Sequence, residues 1–159
     1  MFTKEERKAV HEAFWMRFKK HMKKAEKQHY INSNHRKINW INYPTGIKEI
    51  YIRLDIDQKQ AKFSIDFQSK DPEILNLIWE QMQELKVVFE NEMGITGTWD
   101  NHATNKANQA IKSIYWTLPN VSIYNSKDEE IIFIFFQSKL FNFHKFYDEF
   151  NEVFFGLLH

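Results

Sequence analysis

At 159 residues the chain has the length of one domain, 1–159, and its fifteen Phe let a core be built from few elements. The absence of Cys excludes a disulfide frame and thiol chemistry, and leaves only His and carboxylates as zinc ligands. The net charge of +1 is unevenly spread: residues 1–40 hold 11 Lys/Arg against 4 Asp/Glu, and the remaining residues 11 against 17. Such asymmetry fits a nucleic-acid contact, or a basic segment docked on its own acidic body. The charged start MFTKEERKAV is not a signal peptide, and no apolar run reaches the ~18 residues of a membrane span. A cytoplasmic setting without membrane attachment is expected.

Thr3-Lys4-Glu5-Glu6 has the form of a capping box and predicts a helix to about Gln28. Val10, Phe14, Phe18 and Met22, flanked by Trp15 and Ala25, form its apolar stripe. Lys20, Lys23, Lys24 and Lys27 gather on another face. Cations there complement the helix dipole, and they can equally form a phosphate-binding ridge. Residues 31–37 read as a polar loop, Trp40–Tyr43 as a short strand, and Pro44-Thr45-Gly46 as a turn.

The stretch that follows organises the chain. Ile50, Ile52, Leu54 and Ile56 alternate with Tyr51, Arg53 and Asp55; Ala61, Phe63, Ile65 and Phe67 alternate with Lys62, Ser64 and Asp66. Each run therefore has one apolar and one polar face. A four-residue connection at Asp57–Gln60 closes a hairpin in which Ile56 faces Ala61, Leu54 faces Phe63 and Ile52 faces Ile65. A slip of one residue would expose half of the apolar set. On the polar face Asp55 then opposes Lys62, and Arg53 lies diagonal to Asp66.

Asp71-Pro72-Glu73 opens a second helix, with Leu75, Ile78, Met82, Leu85 and Phe89 as its stripe and Gly94 as its stop. Two more strands are expected at Ile95–Trp99 and Ile111–Leu118, joined by the polar loop DNHATNKANQA. Ser126-Lys127-Asp128-Glu129 repeats the capping-box pattern. After it, Phe136, Leu140, Phe143, Tyr147, Phe150, Phe154 and Leu157 keep a helical period, which outweighs the strand-like composition of IIFIFF. One long helix, or two with a bend near Ser138, is expected to end by about Leu158. Its wide stripe, with Phe133, Phe141, Phe146 and Phe155, implies contact with more than one surface: the first helix as well as the sheet, or a second subunit. The fold expected is α+β, an antiparallel sheet of about five strands with helices packed on one face, in the order α-β-β-β-α-β-β-α.

Catalytic signatures are absent. The seven His form no metal-ligand spacing, and no nucleophile elbow, phosphate-binding glycine loop or dinucleotide fingerprint occurs. Asp55, Asp57 and Asp66 invite a metal reading. Asp57 falls in the turn, which leaves Asp55 and Asp66 as candidates without a further acid, so no metal or other cofactor is expected. Trp40 and Tyr43 near Arg36, Lys37 and Arg53 could form an aromatic and basic surface for single-stranded nucleic acid; alternatively Trp40 is core and Arg53 pairs with Asp55 or Asp66.

The runs Trp40-Ile41-Asn42-Tyr43-Pro44-Thr45-Gly46-Ile47 and Ile50-Tyr51-Ile52-Arg53-Leu54-Asp55 resemble the bacterial DUF4268 family, a domain of unknown function. So do the helix Trp79–Lys86, Ser113-Ile114-Tyr115 and Val121-Ser122-Ile123-Tyr124-Asn125. Tyr-x-Thr-Gly is the most specific piece. The resemblance spans most of the chain and implies a context, because related domains often follow a nuclease-like domain in longer proteins. The expectation is a non-enzymatic module associated with nucleic acid or a nuclease-type protein, its contact made by Lys20, Lys23, Lys24, Lys27, Arg36, Lys37 and Arg53. Two alternatives stand beside it: a homodimer or partner-docking protein using the Phe-rich last helix, and a metal-dependent nuclease-like enzyme.

Overall fold

A computed structural model describes residues 2–25 and 43–158. The expectations for the 31–37 loop, for Trp40–Asn42 and for Lys27, Arg36 and Lys37 lie outside the described residues.

Helix α1 spans Lys4–Lys24 and is capped by Thr3, whose Oγ1 accepts from the Glu6 amide at 3.1 Å. Phe14, Phe18 and Met22 are buried, with Val10 and Trp15 packed beside them. Strand β1, Tyr43–Pro44, pairs with β2, Ile50–Ile56, which forms the hairpin with β3, Gln60–Phe67. The register agrees with the alternation: Ile56 opposes Ala61, Leu54 opposes Phe63, Ile52 opposes Ile65 and Asp55 opposes Lys62. Asp57 organises the turn, its Oδ1 accepting from the amides of Lys59 (2.7 Å) and Gln60 (2.9 Å).

Asp71 caps α2, Pro72–Glu84, and Gly94 ends the helical run at φ +81°. In between the helix is interrupted. At Leu85 the amide is shared between the Gln81 and Met82 carbonyls, and a separate α3, Lys86–Met93, follows. No Pro or Gly marks this break. It accompanies the packing of Phe89 edge-on against Phe146 at 4.9 Å.

The strand expected at Ile95–Trp99 lies further along. Strand β4 is Thr98–Thr104 and takes up much of the predicted polar loop, leaving a turn at 105–109. Asn105 holds that turn through the amides of Ala107 and Gln109, and Asn108 adopts φ +64°. β4 is an edge strand with a register shift between Asp100 and Ala103, so no two-residue alternation betrays it. Its partner β5 runs Ala110–Pro119. The sheet order is β1-β2-β3-β5-β4, antiparallel throughout: four full strands with the two-residue β1 at one edge.

The second capping box is also revised. Asn125, not Ser126, provides the cap, and it opens a 3-10 turn, Ser126–Asp128. Asp128 instead accepts from the Ser122 amide at 3.0 Å. Helix α4 then runs unbroken from Glu129 to Leu158, without a second helix beyond Ser138. It lies between α1 and α3. Phe133 and Phe136 meet Phe14 and Phe18, while Phe146 meets Phe89. This position accounts for Phe133 and Phe146 in the wide apolar stripe, whereas Phe155 is 41% exposed.

Helices and the apolar sheet face share one cluster around Ile52, Leu54, Phe63, Ile65, Ile114 and Trp116. Gly97 enters β4 directly over Trp116: an added Cβ would sit 2.7 Å from the indole ring, which is itself held by a 3.0 Å bond to the Ile95 carbonyl. Gly97→Ala should therefore destabilise by roughly 1–3 kcal/mol, the usual cost of overpacking, read as a lower urea midpoint at unchanged m-value. A midpoint equal to wild type would show that the indole yields freely.

Candidate nucleic-acid interface and the outer sheet face

The strand alternation that buries Ile52 and Ile65 sends Arg53, Lys62, Ser64 and Asp66 to the opposite face, where β5 adds Ser113 and Tyr115. Asp66 is the centre of this face. Its Oδ2 accepts from Arg53 at 2.9 Å and its Oδ1 from the Ser113 hydroxyl at 2.6 Å, and its side chain is 9% exposed. Arg53 also donates to Gln68 at 2.8 Å and lies over the Tyr51 ring at 4.9 Å. Lys62 stands 4.3 Å from the centre of the Tyr115 ring. Arg53, Asp55, Lys62, Ser64, Asp66 and Gln68, with residues 104–107, line an open groove of about 370 Å³.

Asp55 and Asp66 do share this face, but their environments differ. Asp55 is exposed and opposes Lys62, whereas Asp66 is committed to Arg53 and Ser113. No cluster of three potential ligands occurs among the described residues. One carboxylate of the pair is thus already held by a guanidinium.

The lysines of α1 lie elsewhere. Lys20, Lys23 and Lys24 are exposed on the last turns of a helix that packs on α4, on the helix side of the sheet. Arg53 points to the other side. Among the described residues, the basic helix and the arginine-bearing face thus lie on opposite sides of the sheet. Among the described residues the α1 cation paired with an acid is Arg17, 2.8 Å from Glu129; no ion pair holds Lys20, Lys23 or Lys24.

Across this fold a family model described as a domain of unknown function, DUF4268, matches residues 10–151. The chain belongs to the DUF4268 family. Neither the curated proteins nor the solved structures give a match. The DUF4268 match takes in the Tyr43–Gly46 turn, and the fold gives that turn a physical reason. Gly46 sits at φ +96°, Thr45 Oγ1 donates to the Ile50 carbonyl at 2.8 Å, and the Tyr147 hydroxyl of α4 donates to the Thr45 carbonyl at 2.8 Å. Burial raises the Tyr147 phenol above its ordinary pKa, and the charge of Asp148 acts in the same direction. The motif is thus a clamp between the start of the sheet and the last helix. Burial likewise lowers the Lys139 ammonium, which lies 5.7 Å from the Phe135 ring and 5.9 Å from Trp116.

Three residues escaped the sequence reading. Ser113 was one polar position among several, and only its pairing with β3 brings it to Asp66. Tyr147 reads as one more aromatic of a stripe. Glu49, directly before β2, gave a faint signal: it continues the alternation of Tyr51 and Arg53, yet it is 6% exposed. No helix among the described residues is long and apolar enough to cross a membrane.

Proposed function

We propose that this DUF4268 domain is a non-enzymatic accessory module that associates with nucleic acid through the lysine ridge of α1. One observation carries the reading. Among the described residues, no acid pairs with Lys20, Lys23 or Lys24, which project from the helix and carry part of the charge excess of the first forty residues. Solvated lysines at three- and four-residue spacing suit phosphates, which are bound as point charges and released with counterions. They carry no base-reading geometry, so the association is independent of sequence. The sheet's outer face contributes less, because Arg53 is engaged by Asp66 and Gln68.

The test is fluorescence anisotropy of labelled duplex and single-stranded oligonucleotides across a salt series. Wild type should bind with an affinity that falls steeply with salt. The triple variant Lys20→Gln, Lys23→Gln, Lys24→Gln should reduce the duplex salt slope by about 2–3 units, each lost phosphate contact contributing about 0.9. No binding by wild type at low salt would sink the reading. An unchanged slope in the variant would move the contact away from α1.

A further inference from the structure

Beside the outer groove, where β2 begins and α2 starts, lies a second and larger depression of about 840 Å³. Its walls include the Tyr51 ring, Ile74 and Leu75, and Lys48 and Lys70 stand at its rim. Glu49 contributes a carboxylate whose side chain is only 8% exposed. Among the described residues that carboxylate accepts no hydrogen bond. The nearest cation, Lys48, lies 4.0 Å away and is 89% exposed, so water screens most of its charge.

A carboxylate this enclosed, taking no donor from the described protein groups, is open to one from a ligand in the space it faces. The same chain satisfies Asp66, on the same side of the sheet, with an arginine and a hydroxyl. Glu49 differs in facing a pocket of ligand size, partly apolar, whose other acid, Asp71, is exposed and already caps α2 through the Glu73 amide. Such a carboxylate is satisfied by an incoming cation with N–H donors. An aliphatic body would cover Ile74 and Leu75, and an anionic group would meet Lys48 and Lys70.

We propose that this pocket binds a small organic zwitterion, its ammonium or guanidinium on Glu49 and its anionic end between Lys48 and Lys70. The site is separate from the α1 lysines and does not depend on their binding nucleic acid.

The experiment titrates the full chain with three probes, followed by isothermal calorimetry and amide chemical shifts: 6-aminohexanoate, hexylamine without the anion, and hexanoate without the cation. 6-Aminohexanoate should bind tightest, hexylamine more weakly, and hexanoate at least tenfold more weakly than 6-aminohexanoate. Glu49→Gln keeps the shape of the side chain and removes its charge. It should weaken 6-aminohexanoate at least tenfold, while the melting temperature of the ligand-free protein stays level, which separates loss of binding from loss of fold. Lys70→Gln, on the exposed rim, gives an independent arm: it should weaken 6-aminohexanoate and leave hexylamine unchanged. Hexanoate binding as well as 6-aminohexanoate, full affinity in Glu49→Gln, or no saturable binding of any probe would each overturn the proposal.

Discussion

Asp66→Ala is expected to cost about 3 kcal/mol of unfolding free energy, far more than a surface ion pair would. A solvent-exposed pair is worth at most about 1 kcal/mol, whereas removing one partner of a buried pair costs about 3–5. The Arg53–Asp66 pair lies close to the second case, with side chains 16% and 9% exposed. Asp66 also accepts from Ser113, so its loss removes the acceptor of a buried hydroxyl at the same time. Asp66→Asn separates the contributions. It keeps an acceptor for Ser113 but not the charge facing Arg53, and should fall between wild type and Asp66→Ala. Urea denaturation of the two variants, with Arg53→Ala and the double variant completing a cycle, should give a coupling of about 1–3 kcal/mol. A loss below 1 kcal/mol for Asp66→Ala would mean that solvent reaches the pair and that the outer face is less rigid than its geometry indicates.

The same face illustrates what the sequence could and could not reveal. Two-residue alternation in Ile50–Ile56 and Ala61–Phe67 carries both the pairing and the register, because only one register buries every apolar side chain. The diagonal of Arg53 and Asp66 follows from that register alone. Ser113 does not, since it reaches Asp66 only when β5 pairs with β3, a contact between residues 47 apart in the chain. β4 was illegible for a different reason. Thr98–Thr104 is an edge strand, half exposed and interrupted by a register shift, so no hydrophobic period is imposed on it. The break at Leu85 left no trace because packing against α4, rather than a helix breaker, accompanies it. The lysine ridge was legible as a pattern. Whether it was consumed by the chain's own acids was not, because ion pairing depends on which elements the fold brings alongside α1.

What positions that ridge is the ring cluster between α1 and α4, and Phe136→Ala is the variant that tests it. Phe136 has no exposed surface and lies 5.7 Å from both the Trp15 and Phe18 rings and 5.6 Å from Phe135. Truncation there removes a large buried ring and leaves a cavity that neighbouring aromatics cannot fill without leaving their own contacts, so a loss of about 3–5 kcal/mol is expected. Ile134, two residues away and 53% exposed, provides the contrast: its replacement by Ala should change stability by at most about 0.5 kcal/mol. Chemical denaturation with matched m-values distinguishes the two, and a Phe136→Ala loss under 2 kcal/mol would show that α1 docks loosely. The result bears on function as well as stability. Lysines that bind phosphates as point charges depend on helical spacing more than on the exact seat of the helix. A Phe136→Ala protein that remains folded should therefore keep its salt slope even as α1 loosens on α4. If the slope falls together with stability, the phosphate contact uses the α1–α4 junction as a surface, and Arg17 with Glu129, 2.8 Å apart across that junction, becomes part of it.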